Sequence, residues 1–67
     1  LAAILKPLTD GPLTAPALAA RLYTDTPHTL LPAAARNVLA HLIDLHGRRA
    51  VSADGPLEPE TRFRLIR

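Results

Sequence analysis

The stretch Val51-Ser52-Ala53-Asp54-Gly55-Pro56-Leu57-Glu58-Pro59-Glu60-Thr61-Arg62-Phe63-Arg64-Leu65 decides the fold. Val51 and Ala53 alternate with Ser52 and Asp54, and Thr61, Phe63 and Leu65 alternate with Arg62 and Arg64. A period of two places side chains on opposite faces of a strand, so each half predicts a strand with one apolar face. Asp54-Gly55-Pro56 turns the chain, and Pro56 and Pro59 make the connection longer than a tight two-residue hairpin. A three-helix bundle with a floppy tail would have to ignore the alternation around Phe63.

Upstream the period changes to that of a helix. Leu31, Ala35, Val38, Leu42 and Leu45 recur at spacings of four and three, the core stripe of a long third helix. Pro32 fits in its first turn, and Gly47 is a natural stop, with His46 and Arg48 suited to the negative end of the dipole. Tyr23 to Thr29 is a connection with no period of its own. Before it, Thr14 is placed to cap a second helix whose face is Ala15, Leu18, Ala19 and Leu22, with Pro16 tolerated in the first turn. Leu13 and Thr14 could add a residue or two to a small sheet. Asp10-Gly11-Pro12 is a turn, and Leu1, Ile4, Leu5 and Leu8 form the apolar face of a first helix.

The order helix, helix, helix, hairpin is that of a winged helix-turn-helix: mainly α, three helices plus a wing, in one domain spanning 1–67. Sixty-seven residues leave no room for a second domain. Leu and Ala supply 25 of the 32 apolar residues, which suits a core built by close helix packing. The first residue is Leu, the first helix has no N-cap, and the chain has no Met, so it reads as a piece of a longer protein, cut or processed at its N-terminus. Zero Cys removes disulfides and thiolate metal sites together. No apolar run is long enough for a membrane span, and no signal-peptide features open the chain, so a cytoplasmic protein with no membrane partner is expected.

In a DNA-reading winged helix the third helix enters the major groove, so its outer face is the test. That face carries Ala33, Arg36, Asn37, Ala40 and Asp44, with Leu39 and Ile43 on its flank, and its formal charge is zero. Phosphate contacts supply most non-specific affinity for DNA, and one cation opposed by one anion offers little. The seam of Ala33, Leu39, Ala40 and Ile43 is therefore assigned to packing against a protein partner; exposed alanine serving only as a good helix former is the plainer alternative. Arg48, Arg49, Arg62 and Arg64, with Arg67, gather at the hairpin and are the candidates for nucleic-acid contact. Asp54, Glu58 and Glu60 in the loop oppose that role. His28, His41 and His46 do not converge at metal-ligand spacing, and HxHxDH, HExxH and GxSxG are all absent. Neither an active site nor a cofactor is expected in this chain.

Gly11-Pro12-Leu13-Thr14, Leu18-Ala19-Ala20-Arg21-Leu22-Tyr23, Leu31-Pro32-Ala33-Ala34 and Val38-Leu39-Ala40-His41-Leu42 with Leu45 resemble the winged-helix domain at the C-terminus of metallo-β-lactamase-fold hydrolases. The likeness covers about residues 1 to 51, and the wing from Asp54 onward is not diagnostic. It implies an accessory, non-catalytic role beside a preceding catalytic domain that holds a divalent metal, zinc being the expected one. The partner it implies is that hydrolase domain, with a second copy of the chain as a further possible association. It also implies a structural role for His41, such as a hydrogen bond within the domain. The family's helix-ending glycine aligns with Arg49, two residues after Gly47. Two other readings stay open: a transcriptional regulator's DNA-binding domain, and a module that holds RNA substrate for a nuclease through its arginines.

Overall fold

The computed structural model describes the backbone of residues 2–66 and the side chains of residues 4–66; Leu1 and Arg67 lie outside the described residues. Helix α1 (Ala2–Leu8) is followed by α2 (Ala15–Leu22), a single 3-10 turn (His28–Leu30), α3 (Leu31–Gly47), and strands β1 (Val51–Ala53) and β2 (Phe63–Leu65). This is the expected winged helix. The one element missing from the sequence reading is the 3-10 turn, which sits inside the connection of no period and leads straight into α3.

The Thr14 side-chain oxygen accepts from the Ala17 N–H at 3.3 Å, satisfying one of the orphan donors at the start of α2. Thr14→Ala should therefore lower stability by about 1 kcal/mol. Urea unfolding of the two chains checks this, and coincident midpoints would deny the cap a role. Gly11, at φ 135°, turns the chain out of α1 in a region that side chains rarely adopt. Two residues on, the Leu13 N–H donates to the Phe63 carbonyl at 3.0 Å and the Phe63 N–H to the Leu13 carbonyl at 2.8 Å. Leu13 thus adds a single-residue bridge to the sheet.

β1 and β2 pair antiparallel, Val51 opposite Leu65, Ser52 opposite Arg64, and Ala53 opposite Phe63. The wing loop closes on itself. The Asp54 N–H donates to the Arg62 carbonyl at 3.0 Å, and the Thr61 hydroxyl donates to the Pro56 carbonyl at 2.6 Å. Thr61 is buried as its place in the alternation implies, but it belongs to the loop, since β2 begins only at Phe63.

The helices pack chiefly as an α2–α3 pair. Ala15 and Ala19 are fully buried with Leu18, a thin face that lets α2 lie close against Val38, Leu42 and Leu45 of α3. Ile4 and Leu8 of α1 and Val51 and Phe63 of the sheet complete the same core, with α1 lying against both α2 and β2.

The end of α3 departs from expectation. Gly47 is the last helical residue, as a stop should be, but the reversal falls on Arg49, which takes φ 61°. The Ala50 N–H donates to the Leu45 carbonyl at 2.9 Å and the Arg49 N–H to the His46 carbonyl at 3.1 Å. Those two bonds are the Schellman pattern, whose left-handed position favours glycine. Placing a side chain there costs about 1 kcal/mol. A Cβ on Gly47 would meet nothing within 4 Å, so no close contact within the chain requires glycine there.

Candidate docking surface

Ala33, Arg36, Asn37, Ala40 and Asp44 of α3 are all exposed, so the outer face is the one its periodicity indicates. Ile43 on its flank keeps 41 % of its surface in solvent, high for a branched aliphatic side chain. Asp44 is held by Arg48 at 2.9 Å, one turn further along. Arg36 makes no ion pair among the described residues. The face is close to neutral, with small and apolar side chains between its few charges.

Leu39 belongs only partly to this seam. It is half-buried and packs on the core, about 120° around the helix from Ala33 at 3.6 residues per turn. Its free edge lines a depression of about 300 Å³ with Pro16, Pro32, Ala35, Arg36 and Pro59. A second depression of about 390 Å³, lined by Pro16, His28, Leu31, Pro32 and Ala35, shares Pro16, Pro32 and Ala35 with it. Together they form an apolar trough along the α2–α3 junction, reached by the wing loop through Pro59. Periodicity could not find this trough. Pro16 and Pro32 are legible only as first-turn residues, and Pro59 arrives through the tertiary fold of the loop.

The arginines form no common site. The Arg64 guanidinium donates to the Asp54 carboxylate at 2.6 Å, and that hydrogen bond, then the Asp54 charge, raises its already high pKa. Arg48 is held by Asp44. Two of the four candidates are thus already satisfied by carboxylates of the same chain. Arg49 and Arg62 make no ion pair among the described residues, but they stand at opposite ends of the hairpin. Arg62 lies across from Asp54 at the loop, whereas Arg49 adjoins Ala50, whose carbonyl accepts from the Ile66 N–H. Phosphate binding gains from neighbouring free cations, and this hairpin separates them. Arg67 lies outside the described residues.

His41 corrects a further expectation. It is exposed, and none of the side-chain hydrogen bonds among the described residues involves it. It flanks the core stripe without being drawn into it, and its side chain bonds to no other among the described residues. Among the described residues no three His, Asp or Glu side chains come close enough to hold a metal ion.

The family model described as beta-lactamase associated winged helix domain matches residues 14–56, from the cap of α2 to the head of the wing loop. The chain is a β-lactamase-associated winged-helix domain. No curated protein and no solved structure matches it. The matched segment holds α2, the 3-10 turn, α3 and β1, so the two helices that line the trough and the outer face lie wholly inside it. β2 falls beyond the match, and it is the structure that completes the hairpin of this β-lactamase-associated winged helix. No helix among the described residues is long and apolar enough to cross a membrane.

Proposed function

We propose that this winged helix is the non-catalytic C-terminal accessory domain of a metallo-β-lactamase-fold hydrolase, and that it acts by packing against the catalytic domain of the same protein. The observation that carries the reading is the outer face of α3: near-neutral, thin at Ala33 and Ala40, and bearing a half-exposed Ile43 beside the proline-lined trough. Small side chains let a neighbouring backbone approach closely, and apolar area removed from water contributes about 25 cal/mol per Å². A groove-reading helix presents several cations and amide side chains to the base edges, whereas this face offers one of each, Arg36 and Asn37, among small and apolar neighbours.

The divalent metal, with zinc expected, belongs in this reading to the catalytic domain; among the described residues the His, Asp and Glu side chains do not gather into a site. There the metal would polarise the scissile bond and activate water. The contribution of the present residues is to hold one wall of the assembly in place. The cytoplasm is the proposed location, and a second copy of the chain is a competing occupant of the same face.

The complete open reading frame offers the first test: an HxHxDH motif upstream of Leu1 supports the hydrolase, and its absence sinks the reading. The second is Ala40→Glu. Ala40 is exposed, so the variant should unfold at the same temperature as the parent chain while binding the separately expressed upstream domain at least about tenfold more weakly, about 1.4 kcal/mol. Undiminished binding would remove Ala40 from the interface. Self-association lost in the variant would assign the face to a second copy instead.

A further inference from the structure

The tripeptide Asp-Gly-Pro occurs twice, as Asp10-Gly11-Pro12 after α1 and as Asp54-Gly55-Pro56 at the head of the wing loop. An aspartate followed by glycine is prone to ring closure, because no side chain shields the glycine nitrogen from the aspartate carboxyl carbon. The two copies share their covalent chemistry, so a difference between them in the folded chain comes from the fold. At the first copy, the Asp10 N–H donates to the Pro7 carbonyl at 3.1 Å and the Gly11 N–H to the Leu8 carbonyl at 3.2 Å. The nitrogen that would attack is engaged there, and Gly11 is half-buried. At the second copy, Gly55 is exposed and its N–H donates to no acceptor among the described residues. Each aspartate is held through its carboxylate, Asp10 by Arg21 at 3.0 Å and Asp54 by Arg64 at 2.6 Å. The unengaged glycine N–H is therefore what sets the wing apart.

We propose that Asp54-Gly55 is a site of spontaneous isoaspartate formation, restrained in the folded chain by Arg64. The Gly55 nitrogen attacks the Asp54 side-chain carboxyl carbon and forms a C–N bond, while the Gly55 amide proton and the carboxyl hydroxyl leave as water. Water then reopens the ring. Breaking the new bond restores aspartate; breaking the bond to the Asp54 backbone carbonyl routes the chain through the side chain. One water leaves and one returns, so mass is unchanged and no oxidant or cofactor takes part. Ring closure requires the Asp54 carboxyl to swing over the Gly55 nitrogen, and the bond from Arg64 holds it across the hairpin instead. The product lengthens the backbone by a carbon atom inside the loop that the Asp54–Arg62 backbone hydrogen bond closes, which loosens the wing.

Trypsin separates the two tripeptides into peptides 1–21 and 50–62, so each serves as the other's control. The chain is kept folded at neutral pH and physiological temperature, and isoaspartate is read by methyl transfer from S-adenosylmethionine with a protein isoaspartate methyltransferase. It should accumulate in peptide 50–62 ahead of peptide 1–21, whereas in urea the two should keep pace. Arg64→Gln should raise the rate in peptide 50–62 by about two- to fivefold, what release of one exposed ion pair allows, and leave peptide 1–21 unchanged. Gly55→Ala, whose Cβ would meet only Thr61 in ordinary contact at 3.7 Å, should suppress the reaction in peptide 50–62. Equal accumulation in the two peptides of the folded chain would overturn the site. An Arg64→Gln chain in which both rates rise together, or neither rises, would overturn the restraint.

Discussion

Phe63→Ala is expected to destabilise the chain by about 3–5 kcal/mol. Phe63 is fully buried and is the largest side chain of the core. It also occupies the centre of the sheet, opposite Ala53 on one side and bonded through both backbone groups to Leu13 on the other. Removing a buried phenyl ring costs about 3–5 kcal/mol, from lost transfer free energy and from the cavity left behind. A domain of 67 residues has about 3–10 kcal/mol in all at the usual stability per residue. It is too small to absorb the loss by repacking, since a short chain buries a smaller share of its surface. Far-UV circular dichroism during a urea titration reads the outcome. A cooperative transition with the parent's midpoint would mean that the sheet is held by something other than this ring.

Leu18→Ala should cost about 2–5 kcal/mol. Leu18 has no exposed surface, and it sits between Ala15 and Ala19 on the face where α2 meets α3. Its immediate neighbours on that face, Ala15 and Ala19, are too short to reach into the vacated space. The loss should fall toward the upper part of the range. Leu30 provides the internal comparison: it is 55 % exposed in the 3-10 turn, and Leu30→Ala should stay within about 0.5 kcal/mol of the parent. Equal losses at the two positions would mean that the α2–α3 contact is not the principal support of the domain.

The repeating elements of the fold were legible because apolar spacing reports them directly. The stripe from Leu31 to Leu45 gives the register of α3, and the alternation around Phe63 separates the wing from a disordered tail. Leu13 was readable as a sheet residue only because it precedes a capping threonine and stands alone between a turn and a helix. Three features escaped for one shared reason, that each depends on residues far apart in sequence. Pro59 reaches the α2–α3 trough because the loop folds back under the Thr61–Pro56 hydrogen bond. Arg64 is neutralised by Asp54 because the hairpin register brings them together. His41 stays in solvent because the neighbouring elements pack elsewhere on α3. The reversal at Arg49 is different in kind: glycine signals a left-handed turn strongly, and the eye stops at Gly47, whereas the hydrogen bonds to Leu45 and His46 carry the turn two residues further.

The bridge between Leu13 and Phe63 joins positions 50 residues apart. The helices can meet through contacts close in sequence, but this bridge must wait for nearly all of the domain to exist. Within the domain, α1 is therefore made first, can meet α2, and gains its contacts with β2 only when the wing follows it out. Closing so long a loop is also the slow kind of step in folding, because its entropy is lost before the contact repays it. The wing is thus the clasp of the domain, the last part made and the one that shuts the first helix into place.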